Sequence, residues 1–179
     1  MTTARHVKRS RGWLRLAAAA ALVLAAGIPL KAHLQREEHG MRALPVGTKL
    51  PGIEATSIDG TTYDVASMAS EQRVLVIAVW TTWCVPCRSE LRELAWIEEH
   101  ADPESLRVVA LNVGEPRNRV IEALPDWKLP RTVLLDEDGS IAALLQIDVF
   151  PSLIVVVEGD VARVQKGSTR YLSQLIAKY

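Results

Sequence analysis

The sequence predicts an α/β layer fold, a mixed central sheet covered by helices on both faces. Three observations predict it. Val74–Val79 and Leu106–Val113 are apolar runs rich in β-branched residues, the mark of strands buried on both faces. Between them, Pro86–His100 carries Leu91, Leu94 and Ala95 at helical spacing. Strand, helix and strand make a right-handed βαβ unit, and a terminal hairpin plus helix completes the sheet.

The elements follow in chain order. Ile53–Ile58 and Thr61–Val65 flank Asp59-Gly60, a two-residue hairpin signal. The long helix turns Glu93, Glu98 and Glu99 toward solvent. Arg117–Leu124 reads as a short helix bounded by Pro116 and Pro125. Thr132–Leu135 is a short strand or extended segment, and Asp138-Gly139 a turn leading to Ile141–Leu145. Ser152–Val157 and Val161–Gln165 form a hairpin over Glu158-Gly159-Asp160. Leu172, Leu175 and Ile176 mark a closing helix, entered through Gly167 and Ser168.

The 179 residues suit one domain with a small appendage. A hydrophobic fraction of 49% excludes a disordered chain, and the lack of a strict repeat excludes a solenoid or collagen. Lys+Arg and Asp+Glu both total 21, yet the charges are segregated: residues 1–46 carry +6 and residues 47–179 carry −6. A body that acidic does not suit nucleic acid, whose binding runs on Lys and Arg at phosphates.

The amino-terminal part reads as a basic tail over residues 1–12, a membrane segment over 13–31 and a stalk over 32–46, before a globular domain over 47–179. Arg5, Lys8, Arg9, Arg11 and Arg15 precede the uncharged run Leu16–Leu30. That is the layout of a secretory signal or an uncleaved signal anchor. The run is shorter than the ~20 residues of a full span unless Trp13 sits at the interface and Arg15 snorkels. Ala25 and Gly27 could serve a cleavage site, whereas Leu30 before Ala32 fits one badly, which favours the anchor. The positive-inside bias puts the amino terminus in the cytoplasm and residues 32–179 outside, as a single-pass protein of the cytoplasmic membrane.

Chemistry concentrates at Trp83-Cys84-Val85-Pro86-Cys87, where the first buried strand turns into the long helix. Free N–H groups and the positive end of the macrodipole stabilise a thiolate at a helix start. Cys84 is therefore expected to be the exposed, acidified sulfur and Cys87, one turn inside, the buried one. A three-residue offset also lets the two close a small disulfide ring, which suits a reversible two-electron couple. The metal reading of the pair is weaker. Zinc needs about four ligands, and His6, His33, His39 and His100 lie in the tail, the stalk and a helix end. A two-coordinate Cu(I) site on the same two sulfurs stays open as the alternative, a metallochaperone-like carrier.

Val79-Trp80-Thr81-Thr82-Trp83-Cys84-Val85-Pro86-Cys87-Arg88 resembles the thioredoxin superfamily active site, and more narrowly the membrane-anchored, extracytoplasmic thiol–disulfide oxidoreductases of the TlpA/ResA group. The resemblance runs from about Gly47 to the end. Leu50-Pro51 and Asp59-Gly60 match the group's added amino-terminal hairpin. Asn112-Val113-Gly114-Glu115 and Leu134-Leu135-Asp136-Glu137-Asp138-Gly139 match its central insertion, and Gly167 the glycine before the last helix. The resemblance implies a thioredoxin-like fold, a redox-active Cys84–Cys87 disulfide, and Glu90 as the active-site glutamate. It implies a cis bond at Phe150-Pro151, and substrate contact by Trp83, Pro86, Phe150 and Pro151. Trp80, Trp96 and Trp127 read as packing.

The chain departs from the pattern at several places. Ala78 replaces the buried polar residue often found there, leaving Glu90 as the proton route. Arg92 replaces the helix-kinking proline, Val149 a usual glycine, and Ser152 follows Pro151 where the CcmG-type branch has glutamate. The expected activity is reduction of disulfides in partner proteins, with apocytochrome c or copper-centre assembly proteins as candidates. A membrane electron donor re-reduces the pair. No metal and no cofactor are expected.

Overall fold

The structure, a computed structural model, describes residues 44–179. The expected basic tail, membrane segment and all but the last three residues of the stalk lie outside the described residues. Among the described residues no helix is long and apolar enough to cross a membrane.

Seven strands form one sheet, with β1 Glu54–Ser57, β2 Thr62–Asp64, β3 Val74–Trp80, β4 Leu106–Val113, β5 Thr132–Asp136, β6 Ser152–Val157 and β7 Asp160–Lys166. Their spatial order is β2-β1-β5-β4-β3-β6-β7. β3 and β5 run parallel to β4, while the remaining pairs are antiparallel. The sheet is thus mixed, as expected. The helices are α1 Val65–Glu71, α2 Val85–His100, α3 Arg117–Ala123, α4 Ser140–Leu144 and α5 Leu172–Ile176, with a 3₁₀ turn at Leu124–Asp126.

Both faces of the sheet are buried because the apolar runs alternate between two cores. Leu75, Ile77 and Val79 of β3 join Val109, Leu111 and Leu134 in a core completed by Val65 and Met68 of α1 and Ala142 of α4. Val76, Ala78 and Trp80 point the other way, toward Cys87, Leu91 and Leu94 of α2 and Leu172 and Ile176 of α5. Leu44, at the end of the expected stalk, is buried in the first of these cores. Just after it, Gly47–Leu50 lies along β7: Gly47 and Leu50 donate backbone N–H bonds to Val161 and Gly159, and Val161 donates to Thr48.

Three local expectations need correction. Val65 opens helix α1 instead of ending a strand, since the Asp64 carboxylate accepts the N–H groups of Ala66 and Ser67 and caps a helix there. Glu98 is buried rather than outward-facing. Pairing between β4 and β5 begins at Val109 and Thr132, so the N–H groups of Val108 and Arg131 lie beyond its end, and both donate to Glu98, at 3.0 and 2.9 Å. Trp96 is not a packing residue. It is 58% exposed and stacks on His100 at 4.3 Å, whereas Trp80 and Trp127 pack together at 5.0 Å.

Candidate active site

β3 lies beside β4, the central strand of the sheet, and from its end the chain turns through Thr81–Trp83 into α2. Cys84 is the residue that caps α2: its backbone is extended, its N–H donates to the Thr81 carbonyl, and its Sγ accepts the Cys87 N–H at 3.3 Å. Pro86 stands in the first turn, where a missing N–H leaves no bond unmade. Cys84 and Cys87 are joined as a disulfide with S–S 1.91 Å and Cα–Cα 5.3 Å. The expectation of an exposed Cys84 is corrected. It is 4% exposed and Cys87 0%. Both sulfurs, uncharged while oxidised, pack in the apolar cluster between sheet and α2, with Phe150 against that cluster.

The surface above is apolar. Trp83 is 68% exposed and meets Phe150 edge-on at 5.8 Å, with Val85 and Val149 also exposed. The Phe150-Pro151 bond is cis. Ser152, the next residue, pairs with Val79, so sheet register brings Pro151 beside the end of β3 and hence to the disulfide.

Glu90 sits one turn beyond Cys87 and is buried. The two line a cavity of about 10 Å³ with Ala78, Pro151 and Ser152. That is about the smallest space that holds one water. The Glu90 Oε1 accepts the Ser168 hydroxyl at 2.8 Å and the Thr169 N–H at 2.7 Å. Burial raises the Glu90 carboxyl above its ordinary value of 4.5; these two bonds pull it back down, and the neighbouring Glu93 charge pushes it up. A carboxylate poised in this way can take a proton from a thiol beside it.

One residue of the site lay hidden in a motif to which no role was attached. Glu115, in the loop after β4, is buried and reaches the turn that carries the disulfide. Its Oε2 accepts the Thr82 N–H at 2.6 Å and the Asn112 side-chain amide at 2.8 Å, and its Oε1 accepts the Thr82 hydroxyl at 2.5 Å. The only sequence signal was its place in Asn112-Val113-Gly114-Glu115.

A four-stranded core β5-β4-β3-β6, a disulfide capping the helix after β3, and a cis-proline beside it define a thioredoxin-like thiol–disulfide oxidoreductase. The chain belongs to the AhpC/TSA family, whose profile matches residues 46–164. It is similar to the thiol-disulfide oxidoreductase ResA of Bacillus subtilis, with 23% identity over 130 residues that cover 72% of each chain. It is also similar to the thiol:disulfide interchange protein DsbE of Escherichia coli, with 26% identity over 114 residues, 62% of this chain and 59% of that one. Among solved structures, a secreted disulfide oxidoreductase of Mycobacterium tuberculosis superposes with a TM-score of 0.62 at 23% identity, over 72% of this chain and 96% of that one. The thioredoxin domain of a Bacteroides vulgatus thiol-disulfide oxidoreductase superposes with a TM-score of 0.63 at 17% identity, over 76% and 98%. These superpositions speak to the fold.

Proposed function

We propose that this protein is a membrane-anchored, extracytoplasmic reductase of disulfides in partner proteins. The observation that carries the reading is the shared cavity of Cys87 and Glu90 behind a disulfide whose other sulfur caps α2. In the reduced protein the Cys84 thiolate attacks one sulfur of a partner disulfide, forming a mixed disulfide and releasing the first partner thiolate, which takes a proton from water. Cys87 then gives its proton to Glu90, directly or through one water, and attacks the Cys84 Sγ. The second partner thiolate leaves. Two electrons have passed to the partner, and the Cys84–Cys87 disulfide remains. A dithiol donor must reduce it again, and we assign that part to an integral-membrane protein.

Cys84 stands at the start of α2, where free N–H groups and the helix dipole favour a thiolate, and this supports attack from that sulfur. Trp83 and Pro86, both exposed, and the half-buried Phe150 offer the partner an apolar surface, while the buried Pro151 contributes through the cis bond that sets the Phe150 backbone beside the end of β3. The basic tail and the apolar run Leu16–Leu30 support the anchor and an amino terminus in the cytoplasm. Reduction of a disulfide in an apocytochrome c, or in a copper-centre assembly protein, would suit such a protein.

Trapping with Cys87→Ser tests the reading. Without the second sulfur the mixed disulfide at Cys84 persists, so adducts should accumulate on non-reducing gels of salt-washed native membranes, and vanish in the double replacement of Cys84 and Cys87. Partners with a Cys-x-x-Cys-His motif identify cytochrome c maturation, because that motif attaches haem. No adducts, together with tight binding of one Cu(I) by the wild type, would replace the reductase by a copper carrier. Loss of the chain from washed membranes would remove the anchor.

A further inference from the structure

Nothing in the reaction just described uses Glu115, although it is among the few buried charged side chains. Its three hydrogen bonds have an uneven distribution: two go to a single residue, Thr82, through both the backbone N–H and the hydroxyl. Thr82 is two residues before Cys84, inside the turn that ends β3 and opens α2. Two peptide units span at most about 7–8 Å between Cα atoms, so a shift of Thr82 passes directly to Cys84. On its other side the carboxylate is fixed by the amide of Asn112, a fully buried residue of β4 that pairs with Trp80 at the end of β3. Gly114, between Asn112 and Glu115, takes φ +71° and donates its N–H to the Asp136 carbonyl, so the loop that carries Glu115 is held from the β5 side as well.

Resting on the proposed function for its importance but not for its geometry, the geometry points to Glu115 as a positioning residue: it ties the Thr82–Cys84 turn to the end of β4 and so sets where the attacking sulfur stands. The other hydrogen bonds of the turn stay within it or run to α2. Cys84 donates its N–H to Thr81 within the same turn, and the Thr81 hydroxyl is buried with no partner. Trp83, the residue between Thr82 and Cys84, is mostly exposed. A tether at Thr82 is therefore what connects this turn to the neighbouring strand, and small displacements at a reacting atom lower rates steeply.

The chemistry of the carboxylate allows tether and charge to be separated. All three partners donate, but a hydroxyl can reverse its role. In Glu115→Gln the amide oxygen can keep the Thr82 and Asn112 N–H bonds while the amide nitrogen donates to the Thr82 hydroxyl. Glu115→Ala removes all three bonds. Thr82→Val removes only the hydroxyl.

The experiment measures the second-order rate of iodoacetamide alkylation at Cys84 against pH in the reduced full chain, alongside its far-ultraviolet dichroism. We expect Glu115→Ala to alkylate roughly tenfold more slowly than wild type at matched thiolate fraction, Thr82→Val about threefold more slowly, and Glu115→Gln within twofold. Wild-type rates in Glu115→Ala overturn the inference. A Gln variant as slow as the Ala variant overturns it too, because charge and not the tether would then govern the sulfur. Should Glu115→Ala fail to fold, Thr82→Val decides, and a wild-type rate there is a refutation. Alkylation needs no partner protein, so a chain that turns over no disulfide would end the reductase reading and leave this test standing.

Discussion

Glu90 and Glu98 lie on the same helix, two turns apart, and both are buried. At the amino-terminal end of α2, Glu90 accepts one side-chain donor and one backbone donor from the loop after β7 and shares a cavity with a sulfur. Toward the carboxy-terminal end, Glu98 accepts two backbone N–H groups, from β4 and from the residue before β5. The second arrangement joins strands where their ladder stops, and no reactive group stands beside it. The difference teaches that burial alone does not mark a functional carboxylate. What singles out Glu90 for the proposed role is the sulfur beside it.

Replacing Glu98 by Ala breaks the comparison hardest. It leaves the buried Val108 N–H and the part-buried Arg131 N–H without an acceptor, and a buried donor left unpaired costs ~1–3 kcal/mol, so we expect a loss of about 3 kcal/mol in chemical denaturation. Cys84 alkylation in the folded protein should stay within twofold of wild type. A large loss of thiol reactivity with intact stability would reverse the roles assigned to the two glutamates.

Glu90→Gln should do the opposite, slowing disulfide turnover about a hundredfold with little loss of fold. Two pH profiles sharpen this. Wild-type turnover should rise with pH as Glu90 ionises, along a limb lying above 4.5, and that limb should vanish in Glu90→Gln. Stability runs the other way. A carboxyl raised in the folded state binds its proton more tightly than in the unfolded chain, so its favourable contribution is complete below 4.5 and is lost as pH climbs through the raised value. Relative to Glu90→Gln, the wild type should lose stability over that window. Parallel denaturation curves for the two proteins across it would contradict the raised pKa.

The smallest effect is expected at Trp96, which lies between the two glutamates but is exposed. Trp96→Ala should change stability by no more than ~0.5 kcal/mol and leave turnover unchanged. A larger loss would mean that its stack on His100 bears on the helix.

The strands and the long helix were legible because local patterns determine them. The runs at Val74 and Leu106 gave β3 and β4 with correct first residues, and Asp59-Gly60 gave the first hairpin. The Cys84–Cys87 pair was legible from spacing and position, and the place of Glu90 beside Cys87 and the cis bond at Pro151 from resemblance. What escaped depended on partners far away in sequence. Glu98 reads as one more helix carboxylate until Arg131, 33 residues on, is placed against it. Glu115 has the same separation from Thr82, and no periodicity couples them. The burial of Cys84 escaped because the helix-start argument concerns a thiolate, and a sulfur in a disulfide carries no charge to hydrate.

The strip Gly47–Leu50 along β7 has a consequence for how the molecule is made. Lys49 reaches the Glu158 carbonyl across 109 residues of sequence, and β1 must wait for β5 before its inner edge is paired. A chain synthesised from its amino end can close the first hairpin early, yet the sheet it belongs to is incomplete until β6 and β7 have emerged. Loop-closure entropy opposes such distant pairings, which makes them late events in folding. The domain thus acquires its structure only after its last strand has been made, with residues 47–50 fastened along that strand.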